Sequence, residues 1–174
     1  MRDHKTAPTR RKFLLGLGAF ALPAPALART GTSHSLRMTC PNTGERFAAE
    51  LIADGEWQSD ALKEFSHFAR DWRVDRAVQI DRDAIKAAIR LQSLMDSAEP
   101  FHLLSAYRTP QTNRRLRGAA RNSMHVKAAA FDLRQPDRSN RQLHAAAMSL
   151  KAGGVGRYSR FVHIDSGPLR DWRG

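Results

Sequence analysis

The chain has 174 residues, enough for one domain with a sizeable buried core. Hydrophobic residues make up 41% and charged residues 26%, as in an ordinary folded soluble protein, but 29 Lys+Arg against 17 Asp+Glu give a net charge of +12, which draws a chain to polyanions: nucleic acid, anionic lipid or an acidic wall polymer. The single cysteine, Cys40, excludes an internal disulfide and any CxxC-type metal site, so metal chemistry must use histidines and carboxylates.

Residues 1–28, MRDHKTAPTRRKFLLGLGAFALPAPALA, have the three parts of an export signal. Arg10, Arg11 and Lys12 form a basic start, an apolar stretch follows from Phe13, and Ala26-Leu27-Ala28 is a small-x-small cleavage site. The paired arginines followed by Lys-Phe-Leu resemble the twin-arginine signature. A membrane anchor is the alternative. However, the apolar run is short against the ~20 residues that a spanning helix needs, and Pro23 and Pro25 interrupt it. Cleavage after Ala28 leaves 24 Lys+Arg against 16 Asp+Glu, or +8, in a mature domain of residues 29–174. That domain is expected to be periplasmic or extracellular, with no membrane span, and its expected target is the anionic wall rather than nucleic acid.

The mature chain opens on SLRMTC, where Leu36, Met38 and Cys40 alternate with polar residues. A PNTG turn follows, then a run with Phe47, Ala49 and Leu51 on one face, which together predict a β-hairpin. SDALKEFSHFARDW predicts a helix capped by Ser59, with Leu62, Phe65, Ala69 and Trp72 on one stripe. Asp81 caps a second helix that turns Ile85, Ala88, Ile89 and Met95 inward. FHLLSAY is a strand, Thr109-Pro110 opens a short helix, and AAAFDL is a further strand. SNRQLHAAAMSLKAGG is a long helix with a Ser139–Gln142 capping box, stopped by Gly153-Gly154, and FVHID is the last clear strand. Strands and helices interleave without a strict βαβ rhythm, which indicates an α+β fold: a small antiparallel sheet with helices packed on it.

Period two in the last two strands sorts their side chains. Phe131 and Leu133 take one face of the first and Asp132 the other, while His163 and Asp165 lie opposite Val162 and Ile164 in the second. If the apolar faces meet the core, Asp132, His163 and Asp165 share the open face, and His125 can fold over it from the preceding loop. Two imidazoles and a carboxylate then converge with a fourth position left for water, the arrangement of a catalytic rather than a structural zinc. Such a zinc lowers the pKa of its water to about 7, making a nucleophile for a peptide carbonyl. The His-x6-Asp spacing alone is a weak signal, because capping aspartates and hydrogen-bonded histidines are common; the second histidine in an alternating strand strengthens it.

The motifs NTGE (42–45), SAYRTPQTN (105–113), SMHVKAAAFD (123–132), LKAGGVGRY (150–158) and FVHIDSG (161–167) cover essentially the whole mature chain in order. Together they resemble the LAS-type zinc peptidases, which include D-Ala-D-Ala peptidases, lysostaphin-like enzymes and the hedgehog fold, and within them most closely the murein endopeptidase K branch. The resemblance implies His125, Asp132 and His163 as ligands of one zinc ion per chain, and crosslinked peptidoglycan peptide as substrate. One departure is Ala128, where the family's S-x-H-x-x-G pattern has glycine; alanine suffices there unless the residue needs positive φ. Another is Arg160, three residues before the last histidine, where better known relatives carry an acid; a guanidinium cannot accept a proton. Asp165 is the nearest replacement as general base, with orientation of the His163 imidazole as its alternative role.

By resemblance to the family's YR motif, Arg108 faces the site, where it could bind a stem-peptide carboxylate or the developing oxyanion. Ser123 near the metal and Asn113 toward substrate complete the candidate set, each with a plain structural alternative. His67 and His144 read as solvated, and His102 as a core histidine. The leading function is a monomeric zinc peptidase cutting wall crosslinks. A D,D-carboxypeptidase acting on stem-peptide ends and a non-catalytic zinc-containing wall-binding module are the alternatives.

Overall fold

The computed structural model describes residues 33–174, so the leader expected at residues 1–28 lies outside the described residues. Within them the class is α+β. The expected hairpin is β1 (His34–Thr39) with β2 (Arg46–Ala53), joined through a turn in which Gly44 donates to the Cys40 carbonyl. The alternation sends Leu36, Met38, Phe47 and Leu51 inward. After β3 (Glu56–Trp57) come α1 (Ser59–Phe68), α2 (Arg82–Met95), β4 (Phe101–Ser105), α3 (Pro110–Arg115) and β5 (Ala130–Arg134). The chain ends with α4 (Asn140–Ser149), β6 (Gly154–Arg157), β7 (Val162–Asp165) and β8 (Arg170–Arg173).

The eight strands form one sheet in the order β3-β2-β1-β4-β5-β7-β6-β8. It is larger than the small antiparallel sheet expected, and it is mixed: β1 with β4 and β6 with β8 run parallel. The additional strands carry no apolar alternation, because β3 has two residues, β6 reads GVGR and β8 reads RDWR. Gly154, expected to stop α4, instead opens β6; the helix ends at Ser149 and Lys151 follows in the left-handed region (φ 49°).

The caps on Asp81, Thr109 and Ser139 are as expected. Asp81 accepts from the Ala84 N–H, Thr109 from that of Thr112, and Ser139 and Gln142 form the capping box. Helix α1 differs. Its cap residue is Gln58, whose side chain makes no capping bond, and it stops at Phe68, short of Trp72. Beyond it, Asp71 is drawn to the start of α3, where its carboxylate accepts the Thr109 N–H and O–H, each at 2.9 Å.

Helices α1, α2 and α4 pack on the sheet. Phe65 of α1 meets Phe47 of β2 and Phe131 of β5 at ring-centroid distances of 5.0 and 5.9 Å. Each buried phenylalanine contributes about 1.5–3 kcal/mol by leaving water. Leu133, Val162 and Ile164 join the same core. With Phe131 turned to the helices, period two sends Asp132 and His163 to the opposite face. No helix among the described residues is long and apolar enough to cross a membrane.

Candidate metal centre

Strand register builds the site. Ser105 pairs with Asp132, Asp132 with His163, His163 with Gly156, and Gly156 with Trp172. One row of side chains therefore crosses β4, β5, β7, β6 and β8 on the face away from the helices. Glycine at position 156 is a steric requirement: an added Cβ would lie 2.4 Å from the Trp172 ring. Its absence lets the indole lie 5.3 Å from the His163 ring, where Trp172 Nε1–H donates to the Tyr158 hydroxyl at 2.9 Å.

His125 reaches the row from a single helical turn before β5. The Ser123 hydroxyl accepts from the His125 N–H at 3.3 Å at the start of this turn. At its end Ala128 donates to the His125 carbonyl and Ala129 to that of Met124, the pair of bonds that closes a Schellman turn. The first donor of such a pair must be left-handed, and Ala128 has φ 56°. So this position does need positive φ, and alanine occupies it at a cost of about 1–2 kcal/mol. The Asp81 N–H, donating to the Ala128 carbonyl at 2.9 Å, helps to hold it there.

The sequence-predicted ligand trio converges. His125 Nε2, Asp132 Oδ1 and His163 Nδ1 form a triangle with edges of 3.1, 3.1 and 3.0 Å. Four-coordinate zinc with bonds of about 2.0–2.1 Å needs ligand atoms about 3.3 Å apart, so the triangle fits the ion. The outer nitrogens explain which atoms face inward. His125 Nδ1 lies 2.6 Å from the Ala106 carbonyl, which can only accept, so that nitrogen carries the proton. His163 Nε2 lies 2.9 Å from Asp165 Oδ2 and donates to it. In the neutral rings both inner nitrogens are then bare lone pairs aimed at a carboxylate oxygen, an arrangement that repels unless a cation lies among them.

Without a metal, a proton shared with Asp132 answers part of that demand, and the pKa directions show where. Burial disfavours the His125 cation and holds its pKa below the ordinary value, despite Asp132. Burial also opposes the His163 cation, but hydrogen bonds to Asp132 and Asp165 outweigh it and raise the pKa. Asp132 is held well below the usual carboxylate range: His125, His163 and the Arg108 guanidinium overcome the burial penalty.

Arg108 lies at the centre, with Nη2 on Asp132 Oδ2 and Nε donating to Ser105 Oγ at 2.8 Å. Asp165 lies behind His163. Besides the imidazole it accepts the N–H groups of Gly154 (3.2 Å) and Gly167 (2.8 Å) and both terminal nitrogens of Arg170. Burial works against its charge, but His163, the Gly167 N–H and Arg170 keep its pKa low. Above the row opens a cavity of about 920 Å³, with Arg108, Ser123, His125, Asp132 and His163 in its walls. Asp165 and Asn113 do not line it. Asn113 is buried because α3 turns that side inward, and its Nδ2 holds the Ala120 carbonyl of a cavity-wall loop at 2.9 Å.

Tyr158, Arg170 and Trp172 also line the cavity and were not singled out from sequence. The Gly-Arg-Tyr run at 156–158 carried the signal for the first, while β8 offered none for the other two. His144, expected to be solvated, instead pairs with Asp171 at 2.7 Å and ties α4 to β8. His102, expected in the core, is half-buried on β4, and burial lowers its pKa.

A family model described as Peptidoglycan L,D-endopeptidase MepK matches residues 28–172. The chain belongs to this peptidase family. A protein of Escherichia coli K12 named peptidoglycan L,D-endopeptidase MepK is 38% identical over 175 residues, covering 94% of this chain and 96% of the relative. The Shigella flexneri protein of the same name matches equally. A Haemophilus influenzae protein named "Probable peptidoglycan L,D-endopeptidase MepK" is 32% identical over 179 residues, covering 95% and 96%. No solved structure matches the chain.

Proposed function

We propose that this chain is a zinc-dependent endopeptidase that hydrolyses peptide crosslinks of peptidoglycan, at an L,D bond as its relatives' names specify. The observation that supports it most is the trio of inward lone pairs at the base of a wide cavity, in a chain of this family. His125, Asp132 and His163 would hold one zinc per chain. Bound there, zinc supplies a Lewis acid that lowers the pKa of water to about 7.

The chain's own residues set the reaction geometry. Arg108 keeps Asp132 ionised and turned inward, and it presents a fixed positive charge to a developing oxyanion or a stem-peptide carboxylate. Asp165 is a positioning residue. Its bond to Nε2–H keeps Nδ1 of His163 facing the centre, and the donors around it hold its charge. Ser123 starts the turn that carries His125, and Asn113 anchors the cavity-wall loop that meets substrate. Asp132 is the one carboxylate lining the cavity among the described residues.

The leader supports twin-arginine export with cleavage after Ala28 and a periplasmic enzyme; the enzyme proposed is a monomer that does not engage nucleic acid. Digestion of purified sacculi tests the function. Crosslinked muropeptide dimers should fall and monomers rise, with chelator stopping the reaction, added zinc restoring it, and Asp132→Ala inert. Release of terminal D-alanine alone would indicate a carboxypeptidase. Binding to sacculi with no change in muropeptides would indicate a wall-binding module.

A further inference from the structure

The cavity carries more positive charge than the centre consumes. Arg108 is paired with Asp132, and Arg170 with Asp165. Arg117, Lys127 and Arg160 line the same cavity, and their exposed side chains have no ion pair or hydrogen bond among the described residues. They come from three separate segments: the loop after α3, the turn carrying His125, and the connection between β6 and β7. Among the described residues Asp132 is the one carboxylate in the wall, and it is already engaged by Arg108 and two imidazoles. Unpaired cations gathered around one cleft raise its potential and favour an anionic occupant. Guanidinium groups in particular match the two oxygens of a carboxylate.

We propose that Arg117, Lys127 and Arg160 form a carboxylate-reading rim, which makes the enzyme selective for peptides whose carboxylates next to the scissile amide are free rather than amidated. This rests on the peptidase reading above for the identity of the occupant. It also gives Arg160 a task at the position where an acid was expected: an acid there would repel the carboxylate that the arginine attracts.

The test uses the mature protein loaded with zinc and the variant Arg117→Gln/Lys127→Gln/Arg160→Gln, whose changes are all at exposed positions. Calorimetric titration with an uncrosslinked stem peptide, as free acid and as its amide, reads the rim without cleavage. The wild type should bind the acid about tenfold or more tightly than the amide, and the variant should lose that preference while keeping its zinc. Equal affinity of the wild type for acid and amide would overturn the proposal. So would a preference that survives in the variant, or a loss equal for both ligands, which would mark general attraction only. Crosslinked dimers in the same two forms, given to the same preparations, should show the selectivity in KM rather than kcat. A wild type that cleaves neither dimer sinks the peptidase reading, while the titrations still decide the rim.

Discussion

Two buried carboxylates, Asp71 and Asp132, lie in the same fold and are treated in opposite ways. Asp71 is surrounded by donors: the Thr109 N–H and hydroxyl reach Oδ2 at 2.9 Å, and the Arg73 N–H reaches Oδ1 at 3.4 Å. Burial disfavours its charge, but Thr112, Thr109 and Arg73 more than offset this and lower its pKa. Asp132 receives the Arg108 guanidinium on one oxygen only. Its other oxygen faces two ring nitrogens that carry no proton while the rings are neutral, because the outer nitrogens hold it. The first carboxylate is complete within the protein and joins α3 to the end of α1. The second, while both rings are neutral, lacks a donor on that oxygen and suits a cation there.

That contrast can be broken in order of effect. The largest belongs to the trio: His125→Ala, Asp132→Ala or His163→Ala should abolish zinc binding and muropeptide release while the circular dichroism of the fold persists. Stoichiometric zinc in any of them would remove that residue from the ligand set. Asp165→Asn comes next. Zinc affinity and turnover should fall together, by about 10- to 100-fold, because the amide orients the imidazole less well. A rate loss of about 10²- to 10⁴-fold with zinc affinity untouched would instead make Asp165 the general base.

Asp71→Asn should leave zinc binding alone and cost about 1–3 kcal/mol of stability, read from urea unfolding. Because its folded pKa lies below the ordinary value of 3.8, Asp71 stabilises the fold above that value and ceases to as pH falls through the folded pKa. The asparagine variant should therefore lose less stability between pH 5 and pH 2 than the wild type does. An identical acid dependence would show that Asp71 is not the group responsible.

Ala128→Gly is the smallest. Relief of the left-handed strain, about 1–2 kcal/mol, is opposed by lost backbone restriction of about 0.5–1 and a buried methyl of about 0.8. Stability should change by less than about 1 kcal/mol. A valine there, adding bulk and β-branching to the same φ, should cost several-fold more, and an equally mild effect would contradict the turn geometry.

The trio was legible in the sequence because two alternating strands and a histidine-bearing turn report their faces through neighbouring apolar residues. The caps on Asp81, Thr109 and Ser139 were legible for a similar reason: each is a local hydrogen bond between residues three apart. What the sequence hid is non-local. The strands β6 and β8 have no periodic signal, because Gly156 exists to make room for Trp172, and the RDWR strand is polar. Without them the Gly154 and Arg170 donors to Asp165 could not be anticipated, and its role stayed divided between base and orienter. The inward turn of Asn113 was invisible for the same reason, since it depends on a carbonyl seven residues away in an irregular loop. Ala128 was readable only as a conditional, settled once the turn's two hydrogen bonds were seen.

The most direct measurement is X-ray absorption at the zinc edge on the purified mature protein, with metal content determined in parallel. One zinc per chain is predicted, with an all nitrogen and oxygen coordination shell that includes two imidazoles. Sulfur in that shell, or a protein that cleaves peptidoglycan at full rate without bound metal, would contradict it.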